Sequence, residues 1–151
     1  MSDAAFAAAC SITAAVLKKI GLDPATSQLR DDPDTKAWGM KRGSAQVLLT
    51  VSRSDRGSWV RIAAPVLKVS ATIDSAAKLK LFSQLLELNA KSMRNASFGT
   101  MGELVVVASE RPAEGLDEQE AEQMLRHVSA LADHYDDELS TQHGLPHGSR
   151  S

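Results

Sequence analysis

Few residues in this chain could do acid–base, nucleophilic or metal chemistry, and their spacing works against it. His127 and His134 stand seven residues apart on one helical pattern, so their Cα atoms lie about 10 Å apart along the axis, too far to share one ion. His143 and His147 have a metal-like spacing, but Gly144 and Pro146 break any helix that would bring them together. The four histidines read as solvated side chains. Asp133, Asp136, Asp137 and Glu138 form an acidic run at the end of the same helical pattern, where the helix dipole disfavours negative charge. A solvated face is the plain reading, and contact with a basic partner is the sharper alternative. Asp31, Asp32 and Asp34 lack the glycine and distal glutamate of a calcium-binding loop and read as part of a turn. Cys10, the single cysteine, falls on an apolar helical face and reads as core rather than nucleophile. There is no G-x-S-x-G elbow, no G-x-x-x-x-G-K and no G-x-G-x-x-G. The sequence thus offers no catalytic residue, no cofactor-binding residue and no metal ligand set, and a non-enzyme is expected. Trp38 and Trp59 are the candidates to anchor a partner chain, although core packing is the favoured reading of both.

Composition narrows the partners. With 151 residues the chain fits one domain large enough to bury a core without disulfides or metals. Hydrophobic residues make up 43% and charged residues 24%, ordinary globular values. A formal charge of −2 supplies no basic field for nucleic acid or anionic membrane. The apolar stretch from Ala4 to Cys10 follows Asp3 rather than a basic segment, and Ser11, Thr13, Lys18 and Lys19 interrupt it, unlike a signal peptide. No run of apolar residues is long enough to span a membrane. Cytoplasmic localisation is expected.

The elements that must position these residues follow from periodicity. A helix is predicted over Asp3–Ile20, with Phe6, Cys10, Thr13, Leu17 and Ile20 on one face and Gly21 to end it. Leu22–Thr35, with Pro24 and Pro33, reads as a loop. Three strands follow, Lys36–Lys41, Ala45–Arg53 and Ser58–Val69, separated by short turns and forming an antiparallel meander. A helix runs from Asp74 to Met93. A hairpin follows, Phe98–Met101 and Glu103–Ser109, whose second strand carries the apolar run Leu104–Ala108 of a central strand. The last helix opens with the capping pattern Asp117–Glu120 and carries Met124, Leu125, Val128, Leu131, Ala132, Tyr135 and Leu139 on one stripe. The expected architecture is α+β, in the order α-β-β-β-α-β-β-α, with an antiparallel sheet packed with helices. Residues 1–142 form a single domain and 143–151 a flexible C-terminal tail.

The middle helix is apolar over too wide an arc. Leu79, Phe82, Leu86 and Met93 form one stripe and Ala77, Leu81, Leu85 and Leu88 a second, together about 200° wide where a sheet needs roughly 100°. Leaving the second stripe in water forgoes roughly 6 kcal/mol, at about 2 kcal/mol for each of three leucines. Either another helix of the chain covers it, or a two-fold dimer does. The dimer assigns Leu81, Leu85 and Leu88 to the interface.

Several segments also carry a resemblance. Trp59–Ile62, Leu85–Asn89, Ser97–Gly99, Glu103–Val106 and Ala132–Leu139 resemble the YbjN-type family, described as bacterial sensory transduction regulators. The element order resembles the type III secretion chaperone fold, which that family shares. The resemblance covers about the last two thirds of the chain. It implies a non-enzymatic homodimer that binds an extended segment of an unidentified protein partner along surface grooves, as a chaperone-like or signalling regulator. It implies no cofactor and brings no catalytic residues. The chain departs from secretion chaperones, usually strongly acidic, in its sequence pI near 6.1. The alternative from a different class is a small-ligand sensor or enzyme with a pocket between sheet and helices, which requires converging titratable groups there.

Overall fold

The computed structural model describes residues 2–148, and for 2 and 3 only the backbone. Alanine-rich α1 (Ser2–Lys19) buries Phe6, Ala9, Thr13, Val16 and Leu17. Thr13 Oγ donates to the Ala9 carbonyl at 2.8 Å, so its buried hydroxyl is satisfied. Gly21, at φ +88°, ends the helix, and Leu22 N–H returns to Leu17 O at 2.9 Å in the Schellman manner. The segment expected as a loop contains two further elements, a single turn α2 (Pro24–Ser27) and a strand β1 (Gln28–Asp31). Asp23 caps α2 by accepting from Ala25 N–H. Strand β1 is short, polar and at the sheet edge, with an ion pair between Asp31 and Lys36. It has no apolar alternation to announce it, because an edge strand faces water along one side.

Strands β2 (Thr35–Arg42), β3 (Ala45–Ser54) and β4 (Gly57–Lys68) form the meander. Helix α3 (Ser75–Lys91), the hairpin β5 (Ser97–Met101) and β6 (Leu104–Pro112), and α4 (Glu118–His143) complete the chain. All six strands pair antiparallel in one sheet, in the order β1-β2-β3-β4-β6-β5. Register places Trp38 beside Leu49, Leu49 beside Ile62 and Ile62 beside Ser109. One face of the sheet therefore carries Trp38, Met40, Val47, Leu49, Val51, Val60, Ile62 and Val107. Helices α1 and α4 pack together on that face, closing a core that includes Leu17, Leu125, Val128 and Leu139. Alternation puts Gly39, Thr50, Arg61, Glu110 and Trp59 on the opposite face.

The bulge in β4 lies between Pro65 and Leu67, where proline has no N–H for the ladder. Helix α4 begins with a complete capping box between Asp117 and Glu120 and ends at left-handed Gly144, φ +62°. His143 therefore belongs to α4 rather than to a tail. Residues 145–148 fold back along β4, with Leu145 partly buried against the core. The rest of the expected tail, residues 149–151, lies outside the described residues.

Candidate functional site

Cys10 is half-buried. Burial pushes its thiol above the usual range, against a smaller opposing pull from Lys36, so it is a neutral thiol rather than an activated nucleophile.

All four histidines have neighbours within the fold, and three of them are largely withdrawn from solvent. His127 Nε2 lies 3.0 Å from Met93 O and 2.6 Å from Arg94 O, so it donates to carbonyls of the α3–β5 connection. Arg94 and Asn95 there take positive φ values of 36° and 50°, and this cross-brace from α4 holds the turn. His143 sits 2.7 Å from Gln84 Oε1. His147 meets Asp137 at 2.8 Å. His134, largely exposed, stacks edge-on against Tyr135 with centroids 4.7 Å apart.

Of the acidic run, Asp133, Asp137 and Glu138 are exposed as a solvated face requires, while Asp136 is buried. Ser44 Oγ lies 2.6 Å from Asp133 and 3.0 Å from the buried carboxylate of Asp136, so these residues fasten the β2–β3 turn to α4. Asp136, Asp137 and His147 bring ligand atoms within 4.8 Å of one another. Each is already engaged: Asp136 by Ser44 and the Asp137 N–H, and Asp137 by His147. A cleft of about 380 Å³ gathers Arg94, Ser109, Arg111, Glu120 and His127. Its acid is bound to Arg111 at 2.6 Å and its imidazole to the two carbonyls, so neither stands free as a base.

Of the two tryptophans, Trp38 is core, packed on the helical side of the sheet and 4% exposed. Trp59 is 37% exposed and lines a groove of about 530 Å³ with Ala5, Arg56 and Pro112.

On α3 the chain itself covers the second stripe, so the dimer contact expected there is not formed by it. Within the helix it is the first stripe that is left outward. Leu81 and Leu85 are buried in the chain's own core, and Leu88 packs partly against it. The exposed residues are Leu79 and Leu86, each 69% exposed. Between them, Phe82 leans into a groove of about 320 Å³ beside Val69, Thr100 and Leu104, with Lys78 over its ring. The helix is turned this way by Asn89, four residues beyond Leu85. Its side chain accepts from Phe98 N–H at 2.7 Å and donates to Phe98 O at 3.2 Å. It pairs with β5 as a neighbouring strand would, blocking that sheet edge. Sequence reading found the width of the apolar arc but not this side-chain pairing, which fixes the helix rotation.

The sheet with its helices is a fold known from type III secretion chaperones. The chain is similar to the "ExsC-ExsE Complex" structure, at 18% identity and a TM-score of 0.60, over 85% of this chain and 90% of that one. It is also similar to the "HopA1-SchA Chaperone-Effector Complex", at 13% identity and 0.55, over 84% and 91%. A third likeness is to the "heterodimeric complex ExoU-SpcU from the type III secretion system (T3SS) of Pseudomonas aeruginosa", at 12% and 0.54, over 82% and 94%. A comparison with curated proteins found no match. Residues 11–145 match the model of the family described as "T3SS (YopN, CesT) and YbjN peptide-binding chaperone 1". The chain belongs to that family, which joins the two groups that its sequence resembles.

Proposed function

We propose that this chain is a non-enzymatic, chaperone-like module that binds an extended segment of a partner protein and works as a homodimer in the cytoplasm. The observation that carries the reading is a contrast among the described residues. His127, His143, Asp136 and Glu120 are engaged in holding the fold, while Leu29, Trp59, Leu79, Leu86 and Met101 remain in water. Large apolar side chains left exposed at grooves suit recognition of another chain. Family membership supports a peptide as the partner, and the neighbouring structures of chaperone–effector complexes agree with it. No helix of the described residues is long and apolar enough to cross a membrane. The net charge of −2 argues against nucleic acid.

Two surfaces divide the work. The groove beside Trp59 takes the partner segment. The Leu79–Phe82–Leu86 stripe of α3 meets its own copy, replacing the expected interface at Leu81, Leu85 and Leu88. The alternative of a ligand sensor or enzyme needs free converging groups, and the Arg111–Glu120 cleft offers a neutralised pair instead.

The test begins with capture of the partner on the wild-type chain and identification of its bound segment by mass spectrometry. That segment is then made as a synthetic peptide. Trp59→Ala should weaken its binding about tenfold, the loss of roughly 1.4 kcal/mol, without lowering the melting temperature. Unchanged affinity overturns the assignment of the groove.

A further inference from the structure

We infer that the backbone of β4 from Val66 to Lys68 is a strand-binding slot, which exchanges the chain's own residues 145–148 for an extended segment of a partner polypeptide. The inference rests on the peptide-binding reading above and adds a second place for the peptide, at the end of β4 away from the Trp59 groove.

Strand β3 accompanies β4 only as far as the pair Leu48 and Ala63. Its turn then leaves the sheet to meet Asp133 and Asp136 on α4. On that side of β4, residues 145–148 fill the vacancy. Lys68 N–H donates to Pro146 O at 3.0 Å, and Gly148 N–H donates to Val66 O at 3.1 Å. Leu67 and His147 face each other as an antiparallel bridge. The seated segment thus bridges an open stretch of sheet edge as an added strand would, one of the recurring ways an extended peptide is bound.

The occupant also shows what fits. Leu145 supplies an apolar contact with the core. A Cβ at position 148 would lie 3.0 Å from Pro65 Cβ and 3.1 Å from Leu67 N, so the slot is tight there and favours glycine. His147 adds a close contact, 2.8 Å, to Asp137. Pro146 is the weak point: it accepts from Lys68 but has no N–H to return. A partner segment with leucine, any residue but proline, one more residue and then glycine makes the same contacts and adds that hydrogen bond. Such a segment can displace the tail.

The test uses the full chain and a probe peptide Gly-Leu-Ala-His-Gly-Ser-Arg-Ser, the tail sequence with alanine in place of its proline. Amide exchange at Lys68 is the readout. In the wild type this amide should be protected. Gly148→Val should speed its exchange at least about tenfold, and saturating probe should restore protection. The wild type should bind the probe about tenfold more weakly than the variant, because its own tail competes. His147→Ala, which removes only the imidazole contact, should behave in the same direction and serves if the valine variant does not fold. Lys68 protection unchanged in both variants overturns the seating of the tail. Release of the tail without protection by the probe overturns the slot. If the captured partner segment still binds at the Trp59 groove, the chaperone reading survives that failure; loss of both sinks it as well.

Discussion

Asn89 bonds the backbone of Phe98 twice and so does the work of a missing strand with one amide. A carboxamide is the side chain that matches a peptide group in both donor and acceptor. Asn89→Ala should lower stability by about 1–3 kcal/mol, since it leaves a partly buried N–H and C=O without partners. Chemical denaturation should show a lower midpoint with an unchanged slope. Asn89→Asp keeps the acceptor and should fall between the two. At His143 the relevant chemistry is protonation. Burial, and then Lys80, pushes its pKa below the ordinary 6.5, so the folded chain binds this proton less readily than the unfolded chain. Its contribution is whole above pH 6.5 and is lost as pH falls through that value toward the lower folded pKa. His143→Gln should flatten the fall in melting temperature between pH 7 and pH 5. A slope equal to the wild type's would show that the Gln84–His143 contact does not carry it. Periodicity puts Cys10 on the inner side of α1, where it is half-buried. It does not separate Trp38 the core residue from Trp38 the partner anchor, and it does not show the roles of His127, His143 and Asp136. Their partners lie on other elements, and spacing along one helix cannot show them.

At the scale of elements, α3 is the piece whose rotation decides the assembly. Periodicity separates its two apolar stripes but does not say which meets the sheet. Leu81, Leu85 and Asn89 recur at intervals of four, so the residue that must reach Phe98 carries the two leucines inward with it. Leu79 and Leu86 are left outward. The pair Leu79→Glu with Leu86→Glu should convert a micromolar dimer to monomer by light scattering, with circular dichroism unchanged. A wild-type chain that is already monomeric there, or a variant that remains dimeric, removes α3 from the interface. The same substitutions at Leu81 and Leu85 test something else. They bury charge in the core and should unfold the domain. Element α2 and strand β1 escaped the sequence reading for a related reason. Pro24 is an ordinary first residue of a helical turn, and a polar edge strand lacks the alternation that identifies a half-buried one.

For the whole molecule, class and element order were legible because long patterns carry them: the stripe of α4, the alternation in β3, the apolar run of β6. The single sheet and its order follow from pairing between distant segments, which no local pattern encodes. The course of residues 145–148 was hidden too. Gly144, Pro146 and Gly148 look like fraying, and only the space left where β3 departs lets residues 145–148 bridge to β4. That sheet order has a consequence for synthesis. β4 is paired on one side by the strand made just before it, but on the other by β6, so Ile62 must wait for Ser109. Helix α4, which covers Val60, Ile62 and Val107, is made later still. An emerging chain therefore carries a finished hairpin with an open central edge and an unroofed apolar face, and long-range closure of this kind is slow. During that interval the nascent chain is itself a polypeptide at risk of wrong association, and its yield in a cell depends on how quickly its last third follows the first two.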